Sequence, residues 1–386
     1  MSKFKEKSLN LHKAHTGKLD IIPNVKLKTR EDLSLAYTPG VSYPCLEIKK
    51  DKNNAYKYTS KGKTVAIITD GSAVLGLGNI GPEASLPVME GKSALLYSFS
   101  GIQAIPLTLA TQNPEEIIKT AKFISPNYSA IMLEDISAPN CVEIEKRLQK
   151  ELDIPIFHDD QHGTAIVVTA ALLNALKLVN KKMNEIKVVI SGLGAAGSAI
   201  IKLLNKLGVK EIYGYDILGV VSKDKYSKYN TVVKDLIDNN YLLTTKKQNN
   251  LTELLKDKDV FIGVSAKNIL KYEMVKGMQK DSIVFAMANP IPEINPEIAK
   301  KAGARIIGTG RSDYPNQINN VLVFPGLMKA VIENRIKNIT DEIKITTAKA
   351  LANLVKDDEL NEEFILPDIF DKRVVESIVK ANKKKA

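Results

Sequence analysis

Tryptophan is absent from this sequence of 386 residues, and cysteine is rare, with two copies. Cys45 and Cys141 lie far apart and form no C-x-x-C pair, which argues against a disulfide framework and against a thiolate metal site. The basic N-terminal segment has no apolar stretch behind it, so it does not have the pattern of a secretory signal. The longest apolar stretch, residues 164–179, contains Thr and Asn and is too short to cross a bilayer. We therefore expect a cytoplasmic protein without membrane contact.

Arginine is scarce as well, although the chain is basic. Only six of the 55 basic residues are arginine, and 44 acidic residues leave a formal charge of +11. Nucleic-acid-binding proteins usually depend on arginine and aromatic residues, so we expect no nucleic-acid partner. The charge alone leaves that hypothesis open, and it predicts nanomolar affinity with a steep salt dependence. A role in steering small anions is equally compatible with the charge.

Two domains are expected from the length and from the alternation of strand-like and helical patterns. From residue 187 onward, short apolar runs alternate with helical patterns, which is typical of a parallel sheet covered by helices. The first 160 residues are also mixed, with strand-like runs at 64–69 and 130–133 and a helical pattern at 114–123. We expect an N-terminal α/β domain over 1–160 and a Rossmann-type doubly wound parallel sheet over 161–386. Residues 339–385 read as charged helices that wrap back or serve an oligomer contact.

The pattern G-x-G-x-x-G occurs twice, at 76–81 and at 192–197. A dinucleotide site needs a strand before the pattern, a helix after it, and an acidic residue about 20 positions on for the ribose. The second copy meets all three conditions, because Asp216 follows Gly197 by 19 positions. The first copy runs into Pro82 and has Ser100 where the acid belongs, so it is interpreted as a tight functional loop.

The second copy predicts the cofactor site. The residues expected to bind a dinucleotide are Gly192, Leu193, Gly194, Ala195, Ala196, Gly197 and Asp216. The alternative is that these glycines only allow a helix to pack closely on a strand. Asp216 favours NAD over NADP because a carboxylate repels a 2'-phosphate, whereas the nearby Lys223 and Lys225 weaken that preference.

Pairs of acids follow two apolar runs. Glu134 and Asp135 come after 131–133, and Asp159 and Asp160 come after 155–158. Carboxylates grouped at strand ends repel one another, and Mg²⁺ or Mn²⁺ with oxygen ligands is the simplest compensation. The alternative is that each acid caps the next helix or pairs with a lysine.

His158 and His162 are spaced for one helical face and raise the alternative of zinc. Gly163 argues against a continuous helix at that place. Packing and hydrogen bonding are therefore the favoured roles of the two histidines.

Several ordered segments together resemble the malic enzymes, in the short bacterial form. They lie at 35–41, 69–81, 87–92, 133–136, 157–165, 288–290, 310–320 and 324–326. The resemblance implies oxidative decarboxylation of L-malate to pyruvate and CO₂, with NAD or NADP and a divalent metal. It also implies a homodimer. The competing hypothesis is a metal-dependent hydrolase with a non-redox dinucleotide fold, which would hydrolyse its substrate without reducing nicotinamide.

The same resemblance implies roles for individual residues. The metal ligands would be Glu134, Asp135 and Asp160, with Asp159 as a further catalytic acid beside them. Lys92 would be the general base and Tyr37 the general acid. Lys92, Asn289, Asn319 and Asn320 would contact the substrate, with Asn289 also near the cofactor.

Three further points accompany these roles. A base must be neutral, so we expect a neighbouring dication and partial burial to lower the pKa of Lys92. Ala73 stands where larger relatives carry an arginine for the distal carboxylate of malate. Whether Tyr37 serves its own active site or that of a partner subunit is left open.

Overall fold

The computed structural model describes residues 2–74 and 76–383. The strands are β1 (Thr64–Thr69), β2 (Gln103–Thr108), β3 (Ala130–Leu133), β4 (Ile156–His158), β5 (Lys187–Ser191), β6 (Glu211–Asp216), β7 (Gly219–Val220), β8 (Val260–Gly263), β9 (Ile283–Ala286) and β10 (Ile306–Thr309). The α-helices are α1 (Ser2–His15), α2 (Arg30–Ala36), α3 (Ser42–Lys50), α4 (Ala55–Tyr58), α5 (Gly81–Ser100), α6 (Pro114–Ile124), α7 (Asn140–Glu151), α8 (Asp159–Val179), α9 (Ala195–Lys206), α10 (Thr231–Asp238), α11 (Leu251–Leu255), α12 (Tyr272–Lys276), α13 (Pro296–Lys301), α14 (Phe324–Glu333), α15 (Asp341–Ala352) and α16 (Arg373–Ala381). Short 3-10 helices lie at Lys52–Asn54, Ser60–Lys63, Ser125–Asn127, Lys223–Lys228 and Asn320–Leu322.

The N-terminal sheet has the strand order β2-β1-β3-β4, and all its pairs are parallel. Strands β1 and β3 are buried throughout, which explains their continuous apolar runs. Strand β2 escaped the sequence analysis because Pro106 interrupts it. Proline is tolerated there because β2 is an edge strand, where one ladder donor can be missing.

The C-terminal sheet has the strand order β10-β9-β8-β5-β6-β7. Its pairs are parallel except for the short antiparallel pair β6–β7. The chain builds outward from β5 to β6 and then returns to the other side at β8, so the strand order reverses next to β5. Ligands bind at such a reversal, outside the carboxyl ends of the strands. The predicted Rossmann-type doubly wound sheet is thus confirmed.

Helix α8 lies between the two sheets and corrects two sequence inferences. It begins at Asp159 and continues through Gly163, so the glycine does not break the helix. A β carbon at Gly163 would lie 1.9 Å from Oδ1 of Asp159, so the glycine is needed for this close approach. The full helix is also long and apolar enough to cross a membrane, contrary to the length argument from residues 164–179. The most apolar window of the helix is 72% buried inside the protein, as in a core helix.

The C-terminal helices wrap back over the rest of the chain. Helix α14 packs on α5, α15 packs on α8, and α16 packs on both α14 and α15. One buried apolar cluster contains residues of both sheets and of the helices α8 and α14. It includes Met132, Ile166, Ile190 and Leu327. Because this core is continuous, the expected boundary at residue 160 stays a prediction. Two helices, α15 and α16, lie within the expected helical range 339–385, and α16 ends at Ala381. Residues 384 and 385 lie outside the described part.

Candidate active site

The two pairs of acids meet because their strands are parallel neighbours. Glu134 and Asp135 follow β3, and Asp159 and Asp160 follow β4, at the same edge of the sheet. One carboxylate oxygen from each of Glu134, Asp135 and Asp160 lies within 4.8 Å of the other two. The three residues predicted as metal ligands therefore form one cluster.

Asp135 has an unusual backbone conformation within this cluster. Its φ of +52° lies in the left-handed region, which costs a non-glycine residue about 1–3 kcal/mol. Two hydrogen bonds hold the conformation: the amide of Asp135 donates to Oδ2 of Asp160 (2.8 Å), and its carbonyl accepts from the amide of Ala73 (2.9 Å). Asp160 is thus fixed to the end of the neighbouring strand.

Lys92 reaches the cluster from α5. Its Nζ lies 2.9 Å from Oε1 of Glu134 and also forms an ion pair with Oδ2 of Asp159. The Lys92 side chain is only 11% exposed, so it is not a solvated surface lysine. The same Nζ lies 4.5 Å from the ring centroid of Phe324, at the first residue of α14. Sequence reasoning missed Phe324, although it belongs to a segment already quoted for the family resemblance.

The charges of this cluster shift its pKa values strongly. Burial alone would lower the pKa of Lys92, but the charges of Asp159, Glu134 and Asp160 outweigh burial and raise that pKa. The chain's own acids thus favour the protonated lysine, and the lowering expected from a neighbouring dication stays a prediction. Burial, opposed by Lys92, raises the pKa of Asp159 to about 6. Burial and the charge of Asp160 raise the pKa of Glu134 well above its ordinary value.

These observations test whether a divalent cation fits the site. Oε2 of Glu134 is buried and has no hydrogen-bond partner, although its residue belongs to the cluster of three carboxylates. A buried carboxylate oxygen without a partner is costly unless a cation engages it. Three carboxylates are a donor set that suits Mg²⁺ and Mn²⁺. The residues therefore fit such an ion.

Glu145 on α7 binds residues at the start of α8 through hydrogen bonds. Sequence reasoning missed this residue. Its Oε1 accepts from the amide of His158 (2.9 Å), and its Oε2 accepts from Nε2 of Gln161 (3.1 Å) and lies 2.8 Å from Nε2 of His162. Both histidines thus take part in hydrogen bonding, which is the role favoured for them from the sequence. An acid within the apolar stripe formed with Cys141, Ile144 and Leu148 was the available signal, since all four are buried.

His158 is the N-cap of α8 and faces a predicted metal ligand. Its Nδ1 accepts the amide of Gln161 (3.3 Å), so the proton of the neutral ring is assigned to Nε2. This Nε2 lies 3.5 Å from Oδ2 of Asp160. Burial lowers the pKa of His158 and favours the neutral ring.

The second glycine pattern forms the predicted turn between β5 and α9. A β carbon at Gly197 would lie 1.8 Å from the carbonyl oxygen of Gly192, so helix and strand touch through their backbones. Gly194 is exposed, and a β carbon there would meet only Ala138, at 4.0 Å. Gly194 is also the N-cap of α9 and makes no side-chain capping bond, which leaves the helix N-terminus available to an anion.

A cavity of about 480 Å³ joins the glycine turn to the carboxylates. Predicted site residues that line it are Asp135, Asp160, Gly194, Ala195, Ala196, Asn289, Asn319 and Asn320. Ala73 lines it too, and no lysine or arginine is among the described lining residues. The amides of Asn289, Asn319 and Asn320 and the hydroxyls of Ser137, Thr164 and Ser265 are the side-chain donors in this lining that could bind a distal carboxylate.

Other predicted residues lie outside this lining. Leu193 is buried in the core. Gly192 and Gly197 contact each other through their backbones within the turn. Asp216 is at the end of β6, where its Oδ1 accepts from the amide of Leu218 (2.8 Å). Tyr37 ends α2 and is 66% exposed, so this chain does not place its hydroxyl in the cavity described here.

The first glycine pattern is a loop between β1 and α5, as interpreted from the sequence. A β carbon at Gly76 would lie 2.6 Å from the carbonyl oxygen of Asn289. The loop therefore closes against the C-terminal domain at the rim of the cavity, which Gly76 also lines.

The fold and the site define a two-domain α/β protein in which a dinucleotide-binding turn faces a carboxylate cluster suited to a divalent cation. Residues 16–149 match the family model "Malic enzyme, N-terminal domain", and residues 161–384 match "Malic enzyme, NAD binding domain". The chain belongs to the malic enzyme family.

Named relatives agree with this assignment. The chain is 50% identical to the "Bifunctional malic/malolactic enzyme" of Bacillus subtilis, over 99% of this chain and 93% of that protein. It is 51% identical to the "NAD-dependent malic enzyme" of Geobacillus stearothermophilus, over 95% of this chain and 76% of that protein. The crystal structure of the NAD-dependent malic enzyme from Thermotoga maritima superposes with a TM-score of 0.93 at 44% identity, covering 98% of this chain and 99% of that chain.

Proposed function

We propose that the chain catalyses the oxidative decarboxylation of L-malate to pyruvate and CO₂, with reduction of NAD or NADP and dependence on Mg²⁺ or Mn²⁺. One observation carries the proposal: a single cavity is lined by Asp135 and Asp160 on one side and by Gly194 and Ala195 on the other. A coenzyme whose pyrophosphate is bound at the glycine turn could therefore bring its nicotinamide to a substrate held at the carboxylate cluster. This arrangement leaves the hydrolase alternative unsupported.

Glu134, Asp135 and Asp160 would hold the divalent cation. When bound, the cation would make the malate hydroxyl more acidic and stabilise negative charge during decarboxylation. Lys92, placed beside these acids, accepts the hydroxyl proton at Nζ as hydride leaves the carbinol carbon. Lys92 can act as a base only when its amine is neutral. The neighbouring carboxylates favour the protonated amine, and a cation bound to those carboxylates would weaken this effect. Asp159 pairs with Lys92 and holds its Nζ in position.

Asn289, Asn319 and Asn320 would orient the substrate. All three line the cavity and carry amide donors for the distal carboxylate, in a chain that has Ala73 at the position of the expected arginine. Asn319 is itself oriented, because its Oδ1 accepts from the amide of Val321 (2.9 Å). After CO₂ leaves, a positioned acid must protonate the methylene carbon of the enolate, and Tyr37 is the candidate.

NAD is the favoured coenzyme because Asp216, at the end of β6, is the acid expected to bind the ribose and would repel a 2'-phosphate. The Nζ of Lys225 is bound to the carbonyl oxygens of Leu218 and Val220, at 2.7 and 3.3 Å. Since Lys225 is occupied in this way, it supports a 2'-phosphate less than its sequence position suggested. The relative from Geobacillus stearothermophilus is named as NAD-dependent.

A homodimer would bring Tyr37 into the site of the partner subunit. Helices α2, α3 and α4, all within the described residues, contain no buried residue. Exposed large apolar side chains are concentrated in residues 9–46, which form the N-terminal arm. They are Leu9, Leu11, Leu19, Ile21, Ile22, Val25, Leu27, Leu33, Leu35, Tyr37, Val41, Tyr43 and Leu46. Apolar surface on this scale is typical of a protein interface. A second copy of the chain is the occupant that would also complete a site lacking its acid.

The remaining expectations stand as proposals. We place the enzyme in the cytoplasm, without nucleic-acid or membrane partners. Micromolar or absent binding to DNA and RNA at physiological salt would support this, and nanomolar binding would contradict it.

The direct test of the function follows the absorbance of reduced nicotinamide with L-malate, Mn²⁺ and either NAD or NADP, with and without EDTA. Pyruvate, oxaloacetate and lactate are measured at the end. We expect metal-dependent reduction, stoichiometric pyruvate and a higher kcat/KM with NAD. Oxaloacetate without pyruvate would indicate a simple dehydrogenase, and no reduction with either coenzyme would contradict the proposal.

A further inference from the structure

A second, larger cavity lies at the opposite end of the N-terminal sheet. Its volume is about 780 Å³, within the range of about 300–1,000 Å³ typical of small-molecule sites. Ser129 and Pro155 line it, and they come directly before β3 and β4. The candidate active site follows the carboxyl ends of the same strands, so the two cavities are separate.

Two cations in this second cavity share one aromatic ring. The guanidinium carbon of Arg335 lies 3.2 Å from the ring centroid of Tyr56, and Nζ of Lys61 lies 4.9 Å from the same centroid. Lys61 is held in place by the carbonyl oxygens of Ser125, Pro126 and Tyr128, at 3.1, 3.0 and 2.9 Å. The two like charges beside one ring repel each other, and burial together with the charge of Arg335 lowers the pKa of Lys61.

The acids of the cavity are already paired with other lysines. Asp153 pairs with Lys337, and Glu151 pairs with Lys122 at 2.7 Å. Within the described residues, Arg335 forms no ion pair with a carboxylate, and its side chain contacts Oδ1 of Asn53 at 3.4 Å. An added anion would therefore lower the electrostatic energy of the cavity, because opposite charges attract most strongly where water is partly excluded.

The shape of the cavity indicates the class of anion. The guanidinium of Arg335 lies over the ring of Tyr56, and a guanidinium fork suits the two oxygens of a carboxylate or phosphate. The walls include the apolar side chains of Ile48, Val331 and Ile332, which favour a ligand with an organic body. We propose that this cavity is a regulatory site for a small organic anion that carries a carboxylate or phosphate group recognised by Arg335, with the charge of Lys61 adding to the attraction.

A direct structural connection joins this cavity to Lys92. Helix α14 begins at Phe324, which lies against the Lys92 ammonium, and its last turn carries Val331 and Ile332 of the cavity wall. Ten helical residues span about 15 Å, so an anion at Arg335 acts on the far end of the helix that contacts the base. The kinetic part of this inference rests on the proposed function, whereas the binding part does not.

The test begins with calorimetric titration of the full chain, without malate or coenzyme. The probes are inorganic phosphate, glycerol 2-phosphate and succinate, with glycerol as the neutral control. The phosphate and carboxylate arms identify the favoured group. We expect millimolar or tighter binding of at least one anion, weakened about tenfold or more in Arg335→Gln. Arg335→Lys, which keeps the charge but loses the fork, should show an intermediate affinity.

Arg305→Gln is the matched control, because it removes an arginine charge that is already paired with Asp281 and Glu362 in the C-terminal domain. It should bind the anion like the wild type. Circular dichroism and the Tm of each variant in anion-free buffer report whether the fold is retained.

Kinetics complete the test. The anion that binds best should change the KM for malate about fivefold or more in the wild type and leave it unchanged in Arg335→Gln. Absence of binding by all three anions would overturn the proposal. Equal affinity in Arg335→Gln would also overturn it, since the anion would then occupy the glycine turn or the carboxylate site. Binding without a kinetic change would overturn the regulatory role. Failure of malate turnover itself would leave the calorimetric result standing and would count against the proposed function alone.

Discussion

The Nζ of Lys92 lies 2.9 Å from Oε1 of Glu134, and this ion pair links helix α5 to the end of strand β3. The proposed base is thus bound to a proposed metal ligand. Because the carboxylates raise the pKa of Lys92, proton acceptance by the lysine depends on how strongly those carboxylates are engaged. Acid-base catalysis and metal binding are therefore coupled through a single contact.

Substitution of Lys92 should abolish turnover without loss of the fold when the positive charge is kept. We expect Lys92→Arg to lose about 10²–10⁴-fold in kcat, because an arginine stays protonated and cannot accept the hydroxyl proton. Lys92→Ala should be equally inactive and also less stable, since it leaves Glu134 and Asp159 without their buried counter-charge. Reduced-nicotinamide absorbance and thermal unfolding measure the two effects. An active Lys92→Arg enzyme would refute the role of Lys92 as the base.

Substitution of Glu134 should separate stability from metal binding. In EDTA, we expect Glu134→Gln to unfold at a higher temperature than the wild type, because burial and repulsion by Asp160 disfavour the Glu134 carboxylate more than its ion pair with Lys92 favours it. Mn²⁺ should raise the Tm of the wild type but barely that of the variant, with affinity reduced about a hundredfold. Calorimetric titration with Mn²⁺ measures this affinity. Equal Mn²⁺ affinity in the two proteins would remove Glu134 from the ligand set.

Two alanine substitutions in the glycine turn should have different effects. Gly197→Ala places its β carbon 1.8 Å from the Gly192 carbonyl oxygen, so we expect it to destabilise the fold by about 1–3 kcal/mol. Gly194→Ala meets only Ala138, at 4.0 Å, so the fold should be retained while the pyrophosphate is kept away. We expect Gly194→Ala to weaken NADH binding about tenfold or more. Urea unfolding and NADH fluorescence test the pair, and unchanged NADH affinity in Gly194→Ala would place the coenzyme elsewhere.

Glu145 should make stability depend on pH below neutrality. Burial alone would raise the pKa of Glu145, but the His162 charge and hydrogen bond, with His158 and Lys344, hold that pKa below its ordinary value. A lowered folded-state pKa contributes stability above the unfolded pKa of about 4.3 and loses it as pH falls through the folded value. Glu145→Gln should therefore be less stable by about 1–3 kcal/mol at neutral pH, with a difference that narrows below about pH 4.3. Urea unfolding followed by circular dichroism at neutral and acid pH measures this, and a difference independent of pH would contradict the argument.

Complementation between subunits tests the position of Tyr37. Tyr37→Phe and Lys92→Ala should each be inactive alone. If Tyr37 serves the partner's site, a co-expressed mixture contains heterodimers with one intact site, and random pairing restores about a quarter of wild-type activity. Co-expression of Lys92→Ala with Asp135→Asn is the matched control. If Lys92 and Asp135 of one chain serve the same site, each site of the heterodimer lacks one of them, and the mixture should stay inactive. A mixture without activity would place Tyr37 in its own subunit's site.

Much of the site could be predicted because parallel strands bring their carboxyl ends to one edge. The acids after 131–133 and 155–158 had to meet if those runs were neighbouring strands, and they do. Likewise, strand, glycine turn, helix and Asp216 follow in an order that defines the dinucleotide turn. Edge strand β2 was missed because Pro106 interrupts its strand pattern. Gly163 was wrongly expected to end a helix, because only the structure shows that the nearby side chain of Asp159 requires a glycine there.

The sequence alone determined the two α/β sheets, the turn for the dinucleotide and the set of acids, because each depends on local periodicity or on short spacing. Only the tertiary structure decided the direction in which the chain's own groups shift the pKa of Lys92, since that depends on three carboxylates from two strand ends. It alone also showed the contact of Phe324 with Lys92 and the shared ring of Arg335 and Lys61, which join residues hundreds of positions apart. Such contacts depend on how helices pack over the sheets, and no spacing along the chain encodes that packing in a form that can be read directly.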